Sequence, residues 1–283
     1  MNVEYTRCNL CKADNYDFLF RKQGFNIVKC KKCSLVYVNP RLTQRELVAN
    51  YNANKISPVP YYKEHFEEDK QTFRKRIKII KKYKKRGKLL DIGCSIGTFL
   101  ETAKEENFEG QGIDINKQAI SVAQKKGLNV KVANIEKNKI SGAPFDIIVM
   151  NDLIEHVTDP VKTMKIANRL LKKKGIIFLV TPNAGSTMGK LTRKRWIHYK
   201  PDEHLSYFTP KTMSILLRKS GFSPLHIGTI GRVRNLATVI IKGSTYFGQF
   251  PQKIMKKLYL DRIFKRMRFT LSVDEIVAIA RKK

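Results

Sequence analysis

Long apolar runs are missing from these 283 residues. No stretch approaches the roughly 18 needed to cross a bilayer, so a spanning helix is not expected. The N-terminus, MNVEYTRCNLC, also lacks the charged-then-apolar pattern of a secretion signal, and a cytoplasmic location is expected. Acidic residues are the next shortage. Only 24 Asp and Glu face 56 Lys and Arg, for a net charge of +32. Such an excess favours polyanionic partners: anionic lipid headgroups, nucleic acid or phosphorylated substrates. A lysine bias spread over solvated helix faces, as in KIIKKYKKRGK at 78–88, gives the same count, so charge alone does not choose. Apolar residues are not short. At 42% hydrophobic the chain can build a core, which excludes a disordered class, and its length suits one large domain with a small appendage.

Cysteine is scarce, but four of the five are spaced as C-x2-C-x18-C-x2-C, at Cys8, Cys11, Cys30 and Cys33. Each C-x-x-C turn brings two thiolates to one tetrahedral Zn²⁺ at about 2.3 Å and aims backbone N–H groups at the sulfurs. Between the pairs Phe18, Phe20, Phe25 and Ile27 alternate as in short hairpins. A structural zinc ribbon over 1–41 is expected, because four thiolates leave no open coordination position. Two disulfides would need an oxidising compartment, and a redox C-x-x-C would need a βαβ setting. Cys94 reads as a small packed residue. Residues 42–85 read as a connector and covering helix, with Phe66, Phe73, Ile77 and Ile80 at near-helical spacing.

Residues 89–115 carry the most information. An apolar strand ends in Asp91, turns through Gly93, Ser95 and Gly97, and is followed by a helical pattern and a second strand ending in Asp114. Glycines permit positive φ and close backbone approach, and an acid about 20 residues past the turn reaches ribose hydroxyls. The pattern is D-x-G-x-S-x-G and not G-x-G-x-x-G. An acid at the start of the turn suits a ligand bearing a cation, such as S-adenosylmethionine, and would repel a pyrophosphate.

At this point the chain resembles the class I S-adenosylmethionine-dependent methyltransferases. FDIIVMNDLIEHVTDP (145–160), LLKKKGIIFLVTPN (170–183) and EHLSYFTPKTMSILLRKSGF (203–222) extend the resemblance over roughly 85–283. It implies an α/β fold: a Rossmann-like seven-stranded methyltransferase sheet with its last strand antiparallel, in a domain over 86–283. Strand–helix alternation supports this on its own. Strands are expected at 88–92, 110–115, 129–133, 145–150, up to Thr181, 224–230 and 275–281. Helix stops are expected at Gly127, Gly175 and Gly221, and N-caps at Asn116, Asp159 and Thr209. By resemblance, Asp91, Gly93, Ser95 and Gly97 hold the methionine part, Asp114 the ribose and Asn134 the adenine. Asn151, with Asp152, lines the methyl-transfer face. Ser95 and Asn134 stand where the family more often has glycine and an acid.

Two Glu-His pairs are candidates for acid–base work. Histidine's ordinary pKa near neutrality suits it to that task. Glu155-His156 matches an E-H-V/L segment in which the histidine supports the loop as much as it does chemistry. Glu203-His204 lies in the polar, aromatic segment HYKPDEHLSYFTP. That segment resembles the E-H-L-x-Y-F of methyltransferases acting on sugars, polyketide-like compounds and quinone precursors. His204 is the expected base and Glu203 its orienter, against a purely structural loop. Zinc-ribbon sugar C-methyltransferases carry Y-x-E-H, but Pro201 stands at the tyrosine's place here, which favours an oxygen acceptor on a small molecule, sugar, glycan or isoprenoid-like compound, lipid-linked ones included.

Between the last two strands, 232–270 forms an expected insertion. Ten basic residues face one acid from Arg232 to Arg268, and Met255, Tyr259, Ile263 and Met267 recur every fourth position. This basic amphipathic helix either lies on an anionic membrane, giving a peripheral station at its inner face, or covers the active site as a lid. The alternative function is RNA methylation with the ribbon as docking module, although no basic-aromatic interleaving accompanies the cysteines. A non-enzymatic binding module is the third, opposed by the intact Asp91, Gly93, Gly97 and Asp114.

Overall fold

The computed structural model describes residues 2–52, 59–247, 264 and 267–283. The chain starts with β1 (Val3–Glu4), β2 (Tyr16–Lys22), β3 (Phe25–Cys30), β4 (Val36–Val38) and β5 (Arg41–Leu42). Gln23 and Gly24 join β2 to β3 with φ of 49° and 84°, the paired positive values of a tight hairpin turn whose twist matches the strands. Three helices follow: α1 (Gln44–Asn52), α2 (Val59–Glu64) and α3 (Phe66–Lys81). The apolar stripe expected on α3 is buried at Ile77 and Ile80 and carries a fully buried arginine, Arg76.

Strands and helices then alternate: β6 (Lys88–Ile92), α4 (Thr98–Glu105), β7 (Glu109–Asp114), α5 (Lys117–Lys125), β8 (Val130–Val132), β9 (Phe145–Asn151), α6 (Pro160–Leu170) and β10 (Leu171–Pro182). The remainder holds α7 (Thr187–Thr192), a 3-10 turn (Arg193–Arg195), β11 (Ser206–Tyr207), α8 (Pro210–Lys219), β12 (Phe222–Asn235), α9 (Leu236–Phe247) and β13 (Arg268–Lys282). Seven of these strands form one sheet in the order β12-β13-β10-β9-β6-β7-β8. β13 runs antiparallel to both neighbours and every other pair is parallel. The fold is thus the Rossmann-like methyltransferase sheet. Its strand order reverses between β6 and β9, and ligands of such sheets bind at that crevice, beyond the carboxyl ends of the strands.

Local chemistry sets the helix starts. The side chains of Asn116, Asp159 and Thr209 each accept an N–H from the first turn of α5, α6 and α8, with Pro160 and Pro210 just inside. Two boundaries differ from expectation. α6 stops at Leu170 and not at Gly175, because Leu171 is already extended, buried and paired with Phe145 of β9. Burial there overrides the helix propensity of the following lysines. β12 and β13 also outrun their expected ends. Arg232 pairs with Leu271 and Asn235 with Arg268, so the first residues of the expected insertion continue the sheet. Charged, alternating edge strands carry too weak an apolar signal to be read beforehand. The anchors Met255, Tyr259 and Ile263 lie outside the described residues, and Met267 is exposed.

The N-terminal sheet is not closed within residues 1–41. Its order is β11-β4-β3-β2, so Ser206 and Tyr207, from the E-H-L-S-Y-F segment, supply its edge strand. Phe25, Ile27 and Val38 share a core with Trp196, Tyr199, Leu205 and Tyr207. No helix among the described residues is long and apolar enough to cross a membrane.

Candidate active site

The glycine turn after β6 holds three positive φ values: Gly93 (80°), Ser95 (47°) and Gly97 (79°). At Gly97 the positive φ disfavours any side chain, and a Cβ would in addition crowd Ala123 Cβ at 3.2 Å and require the Leu128 side chain to move. The turn delivers the Ser95 N–H to Asp114 Oδ2 at 2.9 Å, and Asn116 N–H donates to Oδ1 at 2.8 Å. Beneath it, burial and then the charge of Asp114 push the Asp91 carboxyl up to about 8, against the pull of Arg76. Asp91 Oδ1, Ser95 Oγ and Asn151 Nδ2 are buried without a hydrogen-bond partner. Paired acids with orphaned acceptors and donors beside them fit a ligand that brings an ammonium, a sulfonium and ribose hydroxyls. S-adenosylmethionine is such a ligand.

A cavity of about 1030 Å³ opens here, lined by Gly93, Ser95, Asp114, Asn134 and Asn151 of the expected cofactor residues. Asp91 and Gly97 lie outside its lining and act on the turn from below. Asn134 Oδ1 already accepts the Glu136 amide at 2.8 Å, and as a carbonyl it keeps a second lone pair.

The same cavity is lined by Asp152, Glu155, His156, Glu203 and His204. Asp152 sits at φ 52°, uncommon for a residue with a side chain. Two arginines hold this end of β9: Arg76 donates to Asn151 Oδ1 (2.7 Å) and Glu275 Oε2 (2.8 Å), and Arg232 to Asp152 Oδ2 (2.6 Å). Burial alone would raise the Asp152 carboxyl, but the Arg232 and Arg76 charges outweigh it and hold it down at about 2. Neither arginine was recognised in the sequence as a site residue. The one available signal was Arg76 falling on the apolar stripe of α3.

The Glu-His pairs meet. His156 and His204 have ring centroids 4.7 Å apart at 86°, and Glu155, His156 and His204 bring one ligand atom each within 4.8 Å of one another. The Glu155 carboxyl accepts from Thr181 Oγ1 at 2.8 Å, while its Oε1 is an orphan 3.9 Å from His156 Nε2. Both rings direct Nδ1 at a backbone carbonyl: His156 at Glu203 O (3.1 Å) and His204 at His198 O (2.9 Å). On His204, Nε2 is therefore the nitrogen directed to chemistry. Glu203 does not orient His204 through its carboxylate, which faces Lys200 Nζ at 3.6 Å. The reason is the turn at 200–204, where the Glu203 and His204 amides both donate to Lys200 O. Burial lowers the His156 ring to about 4 and the His204 ring well below its ordinary value. Burial, then the Asp152 charge, raises Glu155 to about 8. Burial thus works against charge on all three groups and favours neutral imidazoles beside a neutral carboxyl.

The cysteine cluster braces this loop from behind. The four sulfurs lie within 4.8 Å of one another and form no disulfide. The two knuckles repeat each other. Lys12 and Ser34, at φ 63° and 65°, donate N–H to Cys8 O and Cys30 O at 2.9 Å each. Amides of Leu10 and Cys11 point at the Cys8 sulfur, and those of Lys32 and Cys33 at Cys30. Donor set, spacing and amide support fit a tetrahedral dication, which would also relieve the burial that pushes the Cys8 thiol up to about 11. From the ribbon Asn9 Nδ2 donates to Ser206 Oγ (2.9 Å) and Arg41 Nη1 to Thr158 O (2.6 Å), so both Glu-His segments rest on it.

Comparison with known proteins agrees with this geometry. A family model described as a methyltransferase domain matches residues 62–227. An uncharacterized protein of Methanocaldococcus jannaschii is 27% identical over 161 residues, 57% of this chain and 77% of that one. The ubiquinone biosynthesis O-methyltransferase of Cereibacter sphaeroides is 28% identical over 150 residues, 49% of this chain, and the match spans only 61% of that enzyme. Among solved structures, an S-adenosylmethionine-dependent methyltransferase from Thermotoga maritima (TM-score 0.54, 20% identity) covers 80% of this chain and 96% of its own. One from Archaeoglobus fulgidus (TM-score 0.53, 22% identity) covers 78% and 99%. These two share the fold.

Proposed function

The chain belongs to the methyltransferase-domain family and is a class I S-adenosylmethionine-dependent methyltransferase, and from that premise we propose that it methylates a hydroxyl of a small-molecule or glycan acceptor with His204 as general base. The observation that carries this reading is the convergence of His204, His156 and Glu155 on the cavity that Asp114 and Asn151 also line. When bound, S-adenosylmethionine supplies a methyl group on a sulfonium. Asp91, Gly93, Ser95 and Gly97 hold its amino-acid part, Asp114 its ribose, Asn134 its adenine, and Asn151 borders the reacting face. His204, neutral because it is buried, takes the hydroxyl proton at Nε2 as the oxygen becomes nucleophilic. His156 and Glu155 stand beside the imidazolium so formed. Orientation within the cavity supplies the rest.

Zinc in the cysteine cluster has a structural role in this reading, since it steadies the loop that carries His204. The relatives named O-methyltransferases support an oxygen acceptor. RNA methylation is the competing reading. The ribbon's burial against the 193–207 loop favours a pocket wall over a free docking module. Peripheral contact with an anionic membrane at its inner face, from an otherwise cytoplasmic protein, rests on the +32 charge and on the basic segment before β13.

The test gives the purified protein methyl-labelled S-adenosylmethionine and a fractionated lysate of its source. Label is expected in the small-molecule or lipid-linked pool, and His204→Ala is expected to lower its rate of appearance by about 10²–10⁴. Label in RNA that ribonuclease removes would overturn the reading.

A further inference from the structure

The cavity carries cations that methyl transfer alone does not require. It is lined by Lys22 of the ribbon hairpin and by Arg195 and Lys200 of the 195–204 loop, which contribute a basic wall. Its volume of about 1030 Å³ lies at the top of the range of about 300–1,000 Å³ for ligand pockets, which leaves space for an acceptor beside the cofactor.

Lys22 is the informative member. It ends β2 at the hairpin tip, half-buried, with Nζ donating to the Trp196 carbonyl at 3.1 Å. Phe20, two residues earlier and therefore on the same strand face, packs edge-on against Tyr199 with centroids 4.9 Å apart. Tyr199 in turn packs on the fully buried Trp196 at 5.2 Å. The ribbon and the loop thus fix Lys22 on the backbone of Trp196, the residue after Arg195, and both Lys22 and Arg195 line the cavity. Among the described residues neither Lys22 nor Arg195 has a carboxylate within ion-pair distance. Lys200 has only Glu203, at 3.6 Å. A partly buried ammonium held by a single carbonyl is costly unless an anion completes it. Burial is also what lowers the Lys22 pKa.

We infer that this wall is a phosphate subsite: Lys22 and Arg195 bind a phosphoryl or diphosphoryl group of the acceptor, with Lys200 at the rim. The inference rests on the proposed acceptor pocket and narrows its substrate class to phosphorylated compounds. Cations arriving from separate elements suit an anion with oxygens on several sides. Lysine meets such a group as a point charge and arginine as a fork, whereas one arginine would suffice for a carboxylate. The ribbon becomes part of the substrate site, contributing a side chain as well as a brace.

The test uses full-length, zinc-replete protein saturated with S-adenosylhomocysteine and titrated with inorganic pyrophosphate at low salt. Wild type is expected to bind, Lys22→Gln and Arg195→Gln each to weaken binding about tenfold or more, and Lys104→Gln, on the exposed face of α4, to leave it unchanged. S-adenosylhomocysteine affinity and melting temperature should stay level in all three. A second arm replaces pyrophosphate with phosphatidylglycerol vesicles. Vesicle binding that Lys22→Gln abolishes supports the subsite with a lipid-borne phosphate. Vesicle binding indifferent to Lys22→Gln, while pyrophosphate binding falls, supports it with a soluble one. No pyrophosphate binding by protein that still binds S-adenosylhomocysteine, or equal weakening by Lys104→Gln, overturns the subsite alone. Loss of S-adenosylhomocysteine binding in wild type would instead strike the cofactor assignment.

Discussion

The two ends of the cavity are built differently. Most of the cofactor end comes from one continuous stretch, Asp91 to Asn116, in which a turn, a helix and a strand tip fold back on themselves, with Asn134 and Asn151 added from beyond β8 and the end of β9. Its key hydrogen bonds, Ser95 N–H and Asn116 N–H to Asp114, span 19 and 2 residues. The acceptor end draws on Lys22 in the ribbon, Glu155 and His156 after β9, the 195–204 loop, and Arg232 in β12. A compact motif serves the ligand common to the family. The proposed acceptor end is instead assembled from loops and an appended sheet, the kind of segment that varies most freely among proteins. Position on the chain therefore separates the general half of the reaction from its specific half.

Breaking the cysteine cluster gives the sharpest contrast. Chelation of the cluster, or Cys30→Ser, is expected to cost about 2 kcal/mol or more, which lowers the melting temperature by ~4–8 °C at about 2–4 °C per kcal/mol. Acceptor KM should rise much more than the S-adenosylhomocysteine dissociation constant, measured by titration. Equal losses at both ends would erase the distinction. His204→Ala should come next, with kcat down about 10²–10⁴ and cofactor affinity unchanged, read by single-turnover methyl transfer. If both fall together, His204 is a structural prop. The reverse pattern belongs to Asp114→Ala. Losing a charged acceptor costs about 1.5–3 kcal/mol, so S-adenosylhomocysteine should bind about 10–100-fold more weakly while the acceptor subsite keeps its pyrophosphate affinity.

The smallest effect is one of pH. In the folded chain Glu155 titrates at about 8, against an ordinary value of 4.5. The folded state thus holds a proton that the unfolded chain has released between those values. That contribution is fully present below pH 4.5 and is lost as pH rises toward 8. Asp91, also raised to about 8, adds the same sign. Up to about pH 6.5 the lowered His156 and His204 oppose this trend, because there the unfolded chain holds protons that the folded one has released, so urea midpoints should fall chiefly from about pH 6.5 to pH 8 in the ligand-free protein. Glu155→Gln, which keeps the acceptor for Thr181, should flatten part of the slope and leave the Asp91 share.

Much of this was legible beforehand. The caps at Asn116, Asp159 and Thr209, the glycine turn, the buried run of β9 and the four cysteines all rest on local rules: short-range hydrogen bonds, positive φ, apolar periodicity and ligand spacing. The misreadings were tertiary. Leu171 left its helix because Phe145 and the core claimed it, and β12 and β13 grew because each supplied the other's edge. Glu203 yielded the orienting of His204 to a carbonyl, which no pattern of side chains announces.

The sequence by itself determined the sheet, the cofactor turn and the cysteine cluster, since each is set by residues near one another in the chain or by a fixed spacing. Only the tertiary structure decided that His156 and His204 face each other, that Arg76 and Arg232 clamp Asp152, and that the ribbon places Lys22 in the cavity. Those contacts join segments far apart along the chain. The placing of Lys22 follows from the packing of Phe20 and Tyr207 of the ribbon sheet against Trp196 and Tyr199 of the adjoining loop, and packing of that kind leaves no periodic mark on a sequence.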